Sequence, residues 1–377
     1  MKDYIRYLRD EMRYFIKIIL VVVFSIFLFA GLSHAEKVTF VKEYTYQASE
    51  LDSKASCRTI SLEMVKRLLL EELGTYLISE TEIKDFKLTK EQVKTYSAGI
   101  VGAEIIEDKW DGKTYWLKAK VSADPKEVSK SLKKIMDDPF KGKELEETRK
   151  KAEELTKEVE RLNKELAKAT NKQPSKKVQQ EYKSAIQDLT AVEWLNKGYE
   201  AGMADSWEDA RDAFTNAIEL KPDIAEAYYN RGLAYGELGN YQRAIKDYTK
   251  AIEIELEPDF SYFPYVYHNR GINYAKLGNY QQAIKDFTNG IALKPDHAEA
   301  YFSRGLAYFH RANYKQAIKD FNKAIELKPD YAKAYFIRGS VYAELGNYQP
   351  AISDYKIAAR LGDKDAQITL HELKEQW

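Results

Sequence analysis

The chain has a single cysteine, Cys57, among 377 residues. One thiol excludes an intrachain disulfide framework and any site built from several thiolates. An excess of charge is also missing: 59 Lys and Arg balance 59 Asp and Glu. That balance argues against a nucleic-acid binder, which shows a basic excess on one face. No glycine loop ends in Lys-Ser/Thr to cradle a phosphate, no His-Glu-x-x-His occurs, and no nucleophile elbow is present. His371-Glu372 lacks the second histidine of a zinc helix. As a nucleophile Cys57 would need a histidine partner. The histidines are His34 near the start and His268, His297, His310 and His371 far along the chain. The sequence therefore predicts no enzyme, no catalytic residue, no cofactor and no metal. What is abundant is apolar residue, 44%, together with 31% charged residue, which marks soluble globular material in two or three folded units. The 28 tyrosines are many, and they fall in a pattern.

The first 35 residues read as an address. Lys2, Arg6, Arg9, Arg13 and Lys17 precede a charge-free apolar run, Ile18 to Leu32, followed by Ser33-His34-Ala35. Small residues at the first and third of these positions fit a secretory cleavage site before Glu36. The run is about 15 residues, short of the ~20 that span a bilayer as a helix. A cleaved signal peptide is expected, with an uncleaved inner-membrane signal anchor as the alternative. Both send the remainder out of the cytoplasm, to the periplasm or cell envelope, and a lone cysteine suits an oxidising compartment.

Residues 36–140 read as a small α+β domain in the order β-α-α-β-β-α. Val38 to Tyr46 alternates as a strand. Ile60, Met64, Leu68 and Leu69 recur at helical spacing toward a stop near Gly74. Thr89 and Gln92 are spaced as a capping box. Asp111-Gly112 predicts a two-residue hairpin turn between Ile100–Trp110 and Lys113–Val121. Asp124-Pro125 with Glu127 opens the last helix. With the segment Gly112-Lys113-Thr114-Tyr115-Trp116-Leu117, this order loosely resembles the small α/β domains of envelope lipoproteins and flagellar T-ring proteins. Trp110, Tyr115 and Trp116 offer either a binding face or cross-strand packing.

Leu145, Thr148, Ala152, Leu155, Val159, Leu162, Leu166 and Ala169 alternate spacings of three and four. This is the a/d seam of a coiled coil over residues 143–170, expected to self-associate, with docking onto its own domain as the alternative. Gln173-Pro174-Ser175 breaks it, leaving a linker and leading helix over 171–190.

Over residues 191–365 glycines at 198, 232, 271, 305 and 339 recur at intervals of 34, 39, 34 and 34 residues, and alanines at 210, 244, 283, 317 and 351 keep step. Such periodicity means stacked supersecondary units. In the fourth unit Tyr301, Gly305, Tyr308, Ala317, Phe321, Ala324 and Pro329 occupy marker positions of the tetratricopeptide repeat, which the array resembles five times over. The resemblance implies a mainly α fold: an α-solenoid of five helix-turn-helix units after the coiled coil and the α+β domain. Asp223 and Asp296 are expected to open units, with Glu226 and Glu299 as capping-box partners. Arg231, Arg270, Arg304 and Arg338 keep the period, as do Asp247, Asp286, Asp320 and Asp354 sixteen residues on, which predicts an Arg–Asp pair within each unit. Three departures stand out: Ala312 in place of a turn glycine, Gly290 in place of an alanine, and extra residues around Pro258–Phe263. Ala366, Leu370, Leu373 and Trp377 predict a solvating helix over 366–377.

The family resemblance implies a groove lined by first helices that takes an extended peptide or a partner helix. Its positions fall on Leu195, Tyr229, His268, Phe302 and Phe336, and one turn later on Tyr199, Leu233, Ile272, Leu306 and Ser340, with Asn230 and Asn269 beside them. These are mostly apolar, which argues against the carboxylate-gripping subclass that binds chaperone tails. The expected function is an exported, non-enzymatic scaffold that binds a protein or peptide partner in this groove and self-associates through 143–170. The alternative is a structural part of an envelope or flagellar assembly, contacted mainly through the α+β domain.

Overall fold

The computed structural model describes residues 37–79, 83, 86, 88–137, 139–168, 175–254 and 263–374. The expected signal segment, the Gln173-Pro174 break, most of the Pro258–Phe263 insertion and Trp377 lie outside the described residues.

Three antiparallel strands, β1 (Val38–Gln47), β2 (Ala103–Trp110) and β3 (Thr114–Ala123), form a sheet in the order β1-β3-β2. Alternation sends Tyr115, Leu117, Ala119 and Val121 of β3 inward, where they pack under α1 (Lys54–Ser79) with Cys57, Ile60, Leu69 and Leu73. Gly74 does not end α1: it lies inside the helix, where an added Cβ would sit 2.5 Å from Cγ of Lys94 on α2 (Lys90–Ala98). Leu68 points to solvent. The Thr89–Gln92 capping box forms in both directions. The hairpin turn sits one residue later than the sequence suggests. Asp111 N–H reaches Thr114 O, leaving Gly112-Lys113 as the loop, and the Asp111 carboxylate accepts from the amides of Lys113 and Thr114. Tyr115 is core, tilted against Trp110 at 6.2 Å, and Lys109 lies over Trp116, so these aromatics pack across strands. Cys57 is fully buried and burial pushes its thiol up to about 12, which leaves it inert.

After α3 (Pro125–Asp137), the heptad segment is a single helix, α4 (Pro139–Lys168), but not a free stalk. It packs along α5 (Lys176–Met203), burying Val159, Leu162 and Leu166 in one core with Tyr182, Ala185 and Leu189. The seam needed a second helix, and the chain itself supplies it. Over its described residues the seam of 143–170, expected to self-associate, follows the alternative of docking onto the chain's own helices. Asn163 Nδ2 donates to Tyr46 Oη at 2.7 Å, Tyr46 and Tyr182 hydroxyls meet at 2.9 Å, and Tyr182 donates to Asp52 at 2.8 Å, joining β1, α4 and α5. Helix α5 opens on the cap Ser175 and runs unbroken through residue 190, so leading helix and first repeat are continuous.

The units follow as helix pairs: α5 with α6 (Trp207–Leu220), α7 (Ala225–Glu237) with α8 (Tyr241–Ile254), α9 (Phe263–Lys276) with α10 (Tyr280–Leu293), α11 (Ala298–His310) with α12 (Tyr314–Leu327), and α13 (Ala332–Glu344) with α14 (Tyr348–Arg360). Each periodic glycine faces an aromatic ring of its partner helix; at Gly305 an added Cβ would lie 2.8 Å from Phe321 Cε1. The turn after the first helix is left-handed at Gly239, Gly278 and Gly346, and Ala312 adopts the same turn at φ 55°, where a Cβ costs about 1 kcal/mol. Gly290 has its reason in α9: a Cβ there would sit 3.0 Å from the Pro264 carbonyl oxygen. Asp223 and Asp296 precede the helix starts, the caps being Ile224 and His297 without a side-chain bond, so those capping boxes do not form. Each predicted Arg–Asp pair forms and is bidentate. Arg270, for example, donates Nε and Nη2 to Asp286 at 2.7 and 2.8 Å. The remaining Nη1 reaches back to the preceding unit, to Thr215, Thr249, Thr288 and Asn322 in turn. The closing helix α15 (Lys364–Glu372) buries Ala366 and Leu370, while Leu373 caps it and is half exposed.

Candidate partner-binding groove

The first helix of every unit places two side chains, one turn apart, at the same registers on one wall. Of the twelve candidates, Ser340 is partly buried and donates its hydroxyl to the Phe336 carbonyl, and the structure divides the other eleven into two groups. Leu195, Tyr199, Tyr229, Asn230 and His268 are buried, whereas Leu233, Asn269, Ile272, Phe302, Leu306 and Phe336 keep part of their surface in solvent.

Tyr229 is buried against Tyr248 of its own helix pair and Val266 of the next, whereas Tyr199 and Asn230 meet α4. Its first turns cross the wall there. Asn230 Nδ2 donates to Glu144 Oε1 at 2.5 Å, and Thr148 donates to Glu226 Oε1 at 3.0 Å. Tyr199 also donates its hydroxyl to Glu226. Burial raises the Glu226 carboxyl above its usual range, and the Tyr199 and Thr148 donors oppose that shift. Burial, with Glu144 and Glu226 alongside, pushes the Tyr199 phenol well up. Asn230, which would read a peptide backbone, is thus bonded within the chain. Glu144 carries no motif that marks it, and Glu226 is marked only as a capping-box partner. Thr148 is visible only as a polar residue on a heptad seam.

The wall stays open from α9 to α13. A cavity of about 250 Å³ lies between the third and fourth units, lined by Ile272, Tyr280, Phe287, Ser303, Leu306 and His310. Tyr280 and His310 stack at 4.8 Å and 9° on one side of it. Phe302 rests between Phe321 at 5.7 Å and Tyr331 at 4.9 Å, and Phe336 against Tyr355 at 5.5 Å, so both rings are held in place. Ser303, Tyr280 and His310 were not among the sequence candidates, because a second-helix residue and the last turn of a first helix reach this cavity only through unit stacking.

Beneath the open wall, His268 and His297 face each other at 4.8 Å, with Ser303 Oγ 3.3 Å from His268 Nε2 and Glu299 3.8 Å from His297 Nε2. Burial pushes His268 down to about 3, with His297 adding to the shift, and burial lowers His297 as well. The unfolded chain takes up these protons near pH 6.5 while the folded chain does not. Stability from this pair is therefore complete above 6.5 and falls as pH drops from 6.5 toward 3. Between pH 7 and 5 His268 should account for about 2 kcal/mol of lost stability. Urea denaturation at the two pH values should show a smaller loss in His268→Phe than in wild type; equal losses would refute the assignment.

Among the described residues no group of three His, Cys, Asp or Glu is placed to hold a metal, and no helix is long and apolar enough to cross a membrane.

A stack of helix pairs with a first-helix wall defines a repeat solenoid. Tetratricopeptide repeat models match residues 225–256, 268–332 and 311–366, and a TPR repeat model matches 205–239. The chain belongs to the tetratricopeptide repeat family. A 62-residue stretch is 37% identical to an uncharacterized protein of Methanocaldococcus jannaschii, spanning 16% of this chain and 72% of that one. A 60-residue stretch is 42% identical to the Protein SGT1 homolog of Oryza sativa subsp. japonica, but covers only 16% of the length of each protein. Among solved structures, MamA is 24% identical with a TM-score of 0.42, covering 47% of this chain and 94% of MamA. YrrB, described as a TPR protein with an unusual peptide-binding site, is 23% identical with a TM-score of 0.43, covering 52% and 96%.

Proposed function

We propose that the protein is an exported, non-enzymatic scaffold that holds a protein or peptide partner against the first-helix wall of its third to fifth units. One observation carries this reading: Ile272 and Leu306 line a cavity of about 250 Å³ and stay partly exposed, as do Phe302 and Phe336 on the same wall, while Leu195, Tyr199, Tyr229 and Asn230 of the first two units are buried. Anchored aromatic rings beside a concavity are the usual energetic centre of a peptide site. The partner is a short, largely apolar segment, since the exposed lining carries few charges.

Crosslinking pull-down from the native source tests it. Phe302→Glu with Leu306→Glu should abolish partner recovery while leaving the circular dichroism unchanged, because both side chains are partly in solvent. Equal recovery from variant and wild type would sink the reading. Tyr229 is unsuitable as a target because it is buried. Export rests on the Ile18–Leu32 run and Ser33-His34-Ala35. Mass spectrometry of the mature chain should find Glu36 as the first residue, and a retained Met1 would favour the signal anchor. Self-association through the heptad seam is not part of this reading.

A further inference from the structure

The geometry points to a second docking surface: the wall of the first two units is a helix-binding site that the chain fills with its own α4. The helix it fits is amphipathic and presents a carboxylate and a hydroxyl one turn apart. Glu144 and Thr148 are that pair, four residues apart, so they share one helix face. Asn230 donates to the first, and Glu226 accepts from the second while also receiving the Tyr199 hydroxyl. Recognition of this kind is helix-in-groove docking, with polar groups fixing the register.

The two halves of α4 are anchored differently. The later half sits in the core through Val159, Leu162 and Leu166. The earlier half buries Glu144, Thr148, Ala152 and Thr156, with Leu145 seated on Gly99 as its large apolar contact. Its hold is mainly hydrogen bonds, including Tyr96 to Glu146 and Arg149 to Thr95. Such bonds contribute little net free energy apiece, and a competing helix can reproduce those to the array. The first turns of α4 thus act as a resident ligand, displaceable by a partner helix of matching chemistry, while the later turns stay in place. This inference rests on the groove reading only in taking the first-helix wall as the binding face.

The probe is a fluorescein-labelled synthetic peptide of residues 139–156, titrated against the full chain. Glu144→Ala with Thr148→Ala weakens the resident helix without touching the wall. The double variant should bind the peptide about tenfold tighter than wild type or better, because self-occupancy lowers apparent affinity by the fraction of open sites. Adding Asn230→Ala should remove that gain, and Leu306→Glu should leave it intact, which separates this site from the open wall. Absence of peptide binding by both proteins, or equal binding by both, would overturn the inference. Hydrogen exchange on unmodified protein decides independently of variant folding: amides of 141–152 should exchange about tenfold faster than those of 158–168, reporting local opening. Equal protection of the two halves would overturn it too.

Discussion

Asp286→Ala should destabilise the array by about 3 kcal/mol, far beyond what a surface ion pair is worth. The carboxylate side chain is 3% exposed and the Arg270 side chain 15%. Removing Asp286 leaves a guanidinium that has already lost most of its water facing no carboxylate. Its remaining contacts, Thr249 at 3.0 Å and the Tyr267 ring at 5.5 Å, do not neutralise it. Urea denaturation of the full chain measures the loss. Arg270→Met in the same background should recover most of it, since the penalty lies in the orphaned charge and not in the missing bond. A loss below about 1 kcal/mol would mean that the arginine swings out to water, and the pair would then be no more than a surface one.

Phe321→Ala should cost about 3–5 kcal/mol, the range for emptying a buried aromatic site. Phe321 is fully buried, and its ring edge fills the space that the missing side chain of Gly305 leaves. The reverse change is informative. Gly305→Ala should gain up to about 1 kcal/mol in helix propensity but lose about 1–3 kcal/mol to the clash with the ring, so it should destabilise on balance. Joined to Phe321→Leu, its penalty should shrink, because the two positions share one volume. Strict additivity of the two changes in a denaturation cycle would contradict the packing described here.

The array was legible in the sequence because its physics repeats. Gly305 against Phe321, Arg270 with Asp286, and the left-handed turn at Gly239 are each dictated within a single unit of about 34 residues and then recur. Short-range signals in the first domain read almost as well. The Thr89–Gln92 box formed as spaced, and the Asp111-Gly112 turn missed by one residue because the Asp111 carboxylate captures the Lys113 and Thr114 amides. What stayed hidden depends on tertiary choice. A heptad seam specifies that a helix needs a partner, not whose helix it is, and α5 was the near one. The candidate groove suffered for the same reason. Register marked Asn230 as a wall residue, yet Glu144 reaches it across 86 positions of sequence. The capping boxes at Asp223 and Asp296 failed because the helices start later, at Ala225 and Ala298, and Glu226 is engaged by Tyr199 and Thr148.

The unbroken course of α5 carries a mechanical consequence. At 28 residues it is a rod of about 42 Å, belonging at one end to the α+β core and at the other to the first unit. Pull or twist applied to the sheet domain is passed along this one helix into the first unit. The two ends of the array are also unequal. One carries the α+β domain, and at the other the nine residues of α15 cover the last helix pair with the buried Ala366 and Leu370.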